Sequence, residues 1–185
     1  MESKQLLCLV GMPGAGKSEA AKFFSKRGVP VVIFGDIIND HVDKFKLPHT
    51  VAVHKKLRQK LRTKYGMQAL AKLNETTIRE LFKRHELIVI DGLRSWEEYT
   101  YLRGILTGVN ILIIAIWAPK KIRYLRIKKR ARRSKLGGEE RDLSEMIETN
   151  MGPTISFADD IILNHGSILD LNRNLDLLFN RLKLN

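Results

Sequence analysis

A single cysteine, Cys8, stands in a chain of 185 residues, so no disulfide framework can form within it. Cys8 lies in a short apolar run. It reads as a small core hydrophobe rather than a reactive thiol, and it fits a reducing, cytoplasmic setting. Long apolar stretches are also missing. The longest, Val109 to Ala118, is too short to span a bilayer, so no membrane partner is expected. The N-terminal residues pass straight into an apolar run, which argues against a signal peptide. Acidic residues are scarce: 20 Asp and Glu face 33 Lys and Arg, for a net charge of +13. Such a balance selects anionic partners, whether a nucleotide, a phosphorylated small molecule or RNA. The five histidines show no metal-ligand spacing, and no nucleophile–base dyad is readable, so no metal chemistry beyond Mg²⁺ is expected.

What is present is a phosphate-binding motif. Residues Gly11-Met12-Pro13-Gly14-Ala15-Gly16-Lys17-Ser18 match Gly-x-x-x-x-Gly-Lys-[Ser/Thr] in full. In this motif the glycines let backbone N–H groups turn inward around phosphates. Lys17 supplies a point charge to the outer phosphates, and the Ser18 hydroxyl is a Mg²⁺ ligand. The context agrees. Leu6–Val10 reads as a buried strand before the loop, and Glu19–Arg27 as a helix after it, closed by Gly28. Phosphate would then sit at that helix's N-terminus, where free N–H groups and the dipole favour an anion.

Five short apolar runs punctuate the chain: Leu6–Val10, Val31–Phe34, Leu87–Ile90, Ile111–Trp117 and Ile161–Leu163. None alternates strictly, as expected for parallel strands covered on both faces. Helical stretches between them give a βαβ rhythm and a three-layer α/β fold, with ligands at the C-terminal ends of the strands. At 44% hydrophobic residues, with no linker or repeat, one domain over 1–185 is expected. Two intervals exceed a simple crossover. Residues 39–86 form a helical insert, with helices over His54–Tyr65 and Thr76–His85, which reads as an acceptor-binding region. Residues 119–157 hold a basic helix, a Gly137-Gly138 break and a second helix near Leu143–Thr149, which reads as a mobile lid.

The chemistry should gather at strand ends. Leu87-Ile-Val-Ile-Asp91-Gly92 is an apolar strand ending in a carboxylate, so Asp91 is the candidate Mg²⁺ partner beside the loop, a plain turn former being the alternative. Asp36, at the end of the second strand, reads either as a base or orienting group for an acceptor hydroxyl or as a helix N-cap. Arg94 is spaced to reach an acceptor phosphate. Arg123, Arg126 and Arg130 share one helix face that could neutralise charge on a transferring phosphoryl group, with Arg126 and Arg130 closing over it. Lys120 to Lys135 carries ten Lys and Arg in sixteen residues and no acid, which reads as a solvated face or as a lid. Tyr124 is its one aromatic, so a base-stacking platform is not expected and nucleic acid is a secondary partner.

Four segments together resemble small-molecule kinases of the adenylate kinase and dephospho-CoA kinase group. They are Gly11–Ser18, Phe34-Gly-Asp-Ile-Ile38, Ile90-Asp-Gly-Leu-Arg-Ser95 and Ala158-Asp-Asp-Ile-Ile-Leu-Asn-His-Gly-Ser167. The nearest resemblance is to archaeal proteins described as adenylate-kinase-related or dephospho-CoA-kinase-like. It implies a P-loop NTPase fold of nucleotide-kinase type, with a parallel five-stranded sheet in the order 2-3-1-4-5, and ATP with Mg²⁺ as cofactors. Asn164 and Gly166 match a turn near the adenine in dephospho-CoA kinases. Asp36 matches their proposed base, and equally the Gly-Asp that opens the monophosphate-binding helix of adenylate kinases. Two departures fall on the acceptor side. Asn39 stands where adenylate kinases carry an Arg for the AMP phosphate, and Asp91-Gly92-Leu93-Arg94 lacks a Pro and brings its Arg one place early. The expectation is transfer of the ATP γ-phosphate to a nucleotide-like or coenzyme-like acceptor. The alternative is a slow ATPase or switch whose basic lid engages RNA or a protein.

Overall fold

The computed structural model describes residues 4–129 and 138–184. Its centre is β1 (Gln5–Val10), with every residue buried. Strands β3 (Leu87–Asp91) and β4 (Asn110–Trp117) flank it, and β2 (Val31–Ile33) and β5 (Asp160–Leu163) form the edges. The sheet is parallel throughout, in the order 2-3-1-4-5. Leu9 pairs with Asp91 on one side and Ile114 on the other, so the carboxylate ending β3 emerges beside the loop that leaves β1.

The unbroken apolar run of β1 is explained by two cores. Leu6, Cys8 and Val10 join one cluster and Leu7 and Leu9 the other. The first lies under α2 (Asp36–Lys44), α4 (Ala69–Leu81) and α5 (Trp96–Ile105), through Ile38, Val42, Ile78 and Leu102. The second lies under α1 (Lys17–Ser25) and α9 (Ile168–Leu184), where Phe23, Phe24 and Phe179 meet edge to face. Not every strand is covered twice. On edge strand β5, Ile162 is buried while Ile161 and Leu163 are exposed, because α9 packs on one face only.

Helix limits depart from the apolar pattern at three places. α3 (Val51–Tyr65) starts before His54, because Thr50 caps it by accepting from the Val53 N–H. The next helix runs over Ala69–Leu81 rather than Thr76–His85, since Ala69, Leu70 and Ala71 are good helix formers with a buried face. The helix expected near Leu143–Thr149 is divided. After α6 (Lys120–Lys128) come α7 (Glu139–Leu143), a π-helical turn (Ser144–Glu148) and α8 (Met151–Ser156). The Thr149 hydroxyl donates to the Glu145 carbonyl oxygen at 2.5 Å, closing the wide turn from below. No helix among the described residues is long and apolar enough to cross a membrane.

Candidate functional site

The loop between β1 and α1 requires its glycines. Gly16 sits at φ +112°, left-handed, as the residue preceding α1, and a Cβ there would collide with the Asn164 amide. A Cβ on Gly11 would meet the Ile116 carbonyl oxygen. Lys17 folds back so that its ammonium donates to the Gly11 carbonyl at 2.5 Å and the Met12 carbonyl at 3.4 Å. Ser18 Oγ donates to Asp91 Oδ2 at 3.1 Å, bringing together the two oxygens expected to serve Mg²⁺. A hydroxyl and a carboxylate side by side suit a hard cation that completes its shell with phosphate oxygens and water.

Two cavities flank the loop and share Gly14, Gly16 and Glu19 on their walls. One, of about 330 Å³, reaches Arg126, Asn164, Gly166 and Ile168. Here Asn164 braces the loop: its buried Nδ2 donates to the Ala15 carbonyl at 2.7 Å. Arg126 holds Asn164 in turn, donating to its backbone oxygen at 2.9 Å and to its Oδ1 at 3.2 Å, and to the Gly166 carbonyl at 3.3 Å. Arg126 therefore lies with Asn164 and Gly166, on the opposite side from the residues expected to meet an acceptor. Arg130 lies outside the described residues. Arg123 is buried and makes a two-pronged ion pair with Asp142, at 3.1 and 2.6 Å, while also donating to the Pro13 carbonyl at 2.9 Å. It ties α7 to the loop rather than facing a ligand.

The other cavity, of about 250 Å³, runs from Lys17, Ser18 and Asp91 out to Asn39 and Arg94. Asp36 does not line it. Gly35, not Asp36, precedes α2 as the capping residue, and the Asp36 carboxylate accepts from Asn39 Nδ2 at 2.9 Å. Asp36 thus orients the side chain that reaches the wall. Arg94 is set by a capping box at the start of α5. Ser95 Oγ accepts from the Glu98 N–H, and the Glu98 carboxylate accepts from the N–H groups of Arg94 and Ser95, at 2.8 and 3.3 Å. Burial pushes the Glu98 carboxyl up to about 7 against these hydrogen bonds and the Arg94 charge.

Four residues on this wall are absent from the sequence reading: His54 and Arg58 on α3, Arg141 on α7 and Glu145 in the π turn. Arg94 donates to Glu145 at 3.0 Å, and Arg141 pairs with the same carboxylate. Burial opposes ionisation of Glu145, yet Arg94, Arg141 and Arg58 outweigh it and hold the carboxyl down to about 2. His54 opens a chain to the surface: its Nε2 is 3.0 Å from His49 Nδ1, and His49 Nε2 is 2.8 Å from Asp43. Of all these groups only the Ser95-x-x-Glu98 box carried a local sequence signal. The others converge from separate elements.

Residues 7–147 match the AAA domain family. The chain is 33% identical over 181 residues to a UPF0200 protein of Thermococcus sibiricus, covering 96% of this chain and 95% of the relative. It is 37% identical over 163 residues to one of Thermococcus onnurineus, covering 86% and 88%. Among solved structures, a shikimate kinase from Bacteroides thetaiotaomicron superposes with TM-score 0.57 at 16% identity, over 96% of this chain and 98% of that one. A shikimate kinase from Acinetobacter baumannii in complex with shikimate gives TM-score 0.58 at 18% identity, over 100% and 97%. These structures share the fold, a P-loop kinase-like sheet with flanking helices, while the sequence relatives share ancestry: the chain belongs to the UPF0200 protein family and carries its AAA domain.

Proposed function

We propose that the protein is an ATP- and Mg²⁺-dependent phosphotransferase that moves the γ-phosphate of ATP to a small anionic acceptor, nucleotide-like or coenzyme-like. The supporting observation is that the phosphate-binding loop forms a wall common to two cavities. A nucleotide whose base lies by Asn164 and Gly166 would present its outer phosphate to the second cavity, where Asn39 and Arg94 wait. Backbone N–H groups of Gly14, Gly16, Lys17 and Ser18 would cradle the phosphates, and Lys17 would exchange the Gly11 and Met12 carbonyls for β- and γ-phosphate oxygens. Ser18 and Asp91 would hold Mg²⁺, which when bound neutralises charge on the phosphates. Arg126 serves as a positioning residue through Asn164, and Asp36 as one through Asn39. In this reading residues 1–185 act as one domain, 39–86 receive the acceptor and 119–157 close over it. Positioning and charge stabilisation supply most of the rate.

The test is ATP binding and turnover in the wild type and in Lys17→Ala, with nucleoside monophosphates, dephospho-CoA, nucleosides and shikimate as acceptors. Lys17→Ala should abolish ATP binding, and one acceptor class should stimulate ADP release. Unchanged affinity in Lys17→Ala sinks the nucleotide assignment. Stimulation by RNA alone replaces the kinase with a nucleotide-dependent switch.

A further inference from the structure

We propose that the acceptor carries a phosphate-type dianion, bound by Arg58, Arg94 and Arg141 in the cavity beside Lys17; this rests on the phosphotransferase reading of the same cavity. Three guanidinium groups from three elements line one space of about 250 Å³. Two of them share the single carboxylate of Glu145, which is 2% exposed. The third, Arg58, is 6% exposed and acts on Glu145 through charge alone, with no hydrogen bond or ion pair among the described residues. Burial, then the charges of Arg141 and Arg94, push its guanidinium down to about 8. Arg141 adds an unmet donor, since its Nε is buried without an acceptor among the described residues.

Buried cations without partners are strongly unfavourable in a folded chain unless a ligand completes them. Three arginines line this end, and the one buried glutamate among them pairs with two, so positive charge is in excess there. A monoanionic carboxylate would offset less of that excess than a dianion, and a neutral acceptor none of it. A phosphate monoester supplies close to two negative charges at neutral pH and three acceptor oxygens, enough for Arg58 and for the open N–H groups of Arg141 and Arg94.

The experiment loads the full chain with ADP and Mg²⁺, so that the loop is occupied, and titrates inorganic phosphate by calorimetry at constant ionic strength. Acetate and glycerol 3-phosphate are titrated in parallel arms. One further site is expected, with acetate at least about tenfold weaker than phosphate and the ester at least as tight. Arg58→Met should weaken phosphate binding at least about tenfold, leave ADP affinity unchanged and raise the melting temperature of the ligand-free chain, because it relieves burial of a charge repelled by Arg141 and Arg94. Arg58→Lys should retain part of the phosphate affinity. No phosphate site in the loaded protein, equal binding of acetate, or an Arg58→Met chain that is destabilised and binds phosphate normally overturns the proposal. The same titration on nucleotide-free Lys17→Ala separates the two readings. If ADP binding fails while an Arg58-dependent phosphate site persists, the kinase assignment falls and the anion site stands.

Discussion

Replacing Asp142 by Ala should be among the most damaging changes outside the two cores. The Asp142 carboxylate receives two hydrogen bonds from Arg123 and one from the Tyr124 hydroxyl, and the Arg123 and Asp142 side chains are only 8% and 12% exposed. Unit charges about 4 Å apart attract by roughly 4 kcal/mol at an effective dielectric of about 20. Removing one partner loses that attraction and strands a buried guanidinium, so a loss of roughly 3–5 kcal/mol is expected. For a chain of this size that corresponds to a melting temperature lower by roughly 6–20 °C. Arg123→Met with Asp142→Leu should recover much of the loss, giving a coupling of roughly 1–3 kcal/mol in a double-mutant cycle followed by urea denaturation. Arg123 also donates to the Pro13 carbonyl, so ADP affinity should fall in Asp142→Ala. It should hold in Phe24→Ala, a core change of similar thermal penalty. An Asp142→Ala chain within about 0.5 kcal/mol of wild type, or two strictly additive single changes, refutes the claim that this pair fastens α7 to the loop.

The carboxyl of Glu98, raised to about 7, contributes stability that is complete below its ordinary 4.5 and lost as pH rises through 7. Wild-type stability should therefore decline by about 3 kcal/mol between those values, and Glu98→Gln should flatten the curve; parallel denaturation curves would contradict this. Glu145, held at about 2, acts in the opposite window: its contribution is present above 4.5 and vanishes as pH falls through 2. Glu145→Gln should accordingly shift the acid-unfolding midpoint measured by circular dichroism. Gly16→Ala forces a left-handed alanine into the Asn164 amide and should weaken ADP binding at least tenfold; adding Asn164→Ala removes the collision but not the backbone strain, so only partial recovery is expected by calorimetry. Cys8 is fully buried, and desolvation pushes its thiol far up, so thiol reagents should label it only after unfolding, as mass spectrometry would register.

The fold was legible in the sequence because its determinants are local. Leu6–Val10, Leu87–Ile90 and Ile111–Trp117 each announce a strand buried on both faces, while the order 2-3-1-4-5 comes from the family resemblance that four segments carry together. The outlying pieces were less legible for physical reasons. β5 is an edge, so half its apolar side chains face solvent, and Ile161 and Leu163 look identical in sequence to core residues. The split of the helix near Leu143 depends on a hydrogen bond from Thr149 and on the arginines around Glu145, which no window of residues contains.

The same distinction explains why, in the proposed reading, the nucleotide half of the site is legible in sequence and most of the acceptor half is not. Phosphates of ATP are met chiefly by backbone N–H groups, and a backbone shape needs glycines at set spacings, which form a motif. An acceptor is met by side chains, and Arg58, Arg94 and Arg141 need only project into one cavity. Their separations of 36 and 47 residues carry no pattern. Arg94 is singled out by its place after the strand end at Asp91, but Arg58 and Arg141 each look like one more cation in a chain with 33 of them. Burial is what marks them out: Arg58 has 6% of its surface exposed, and Arg94 and Arg141 converge on one buried carboxylate. In the proposed reading, specificity for the acceptor is written where these charges are buried together.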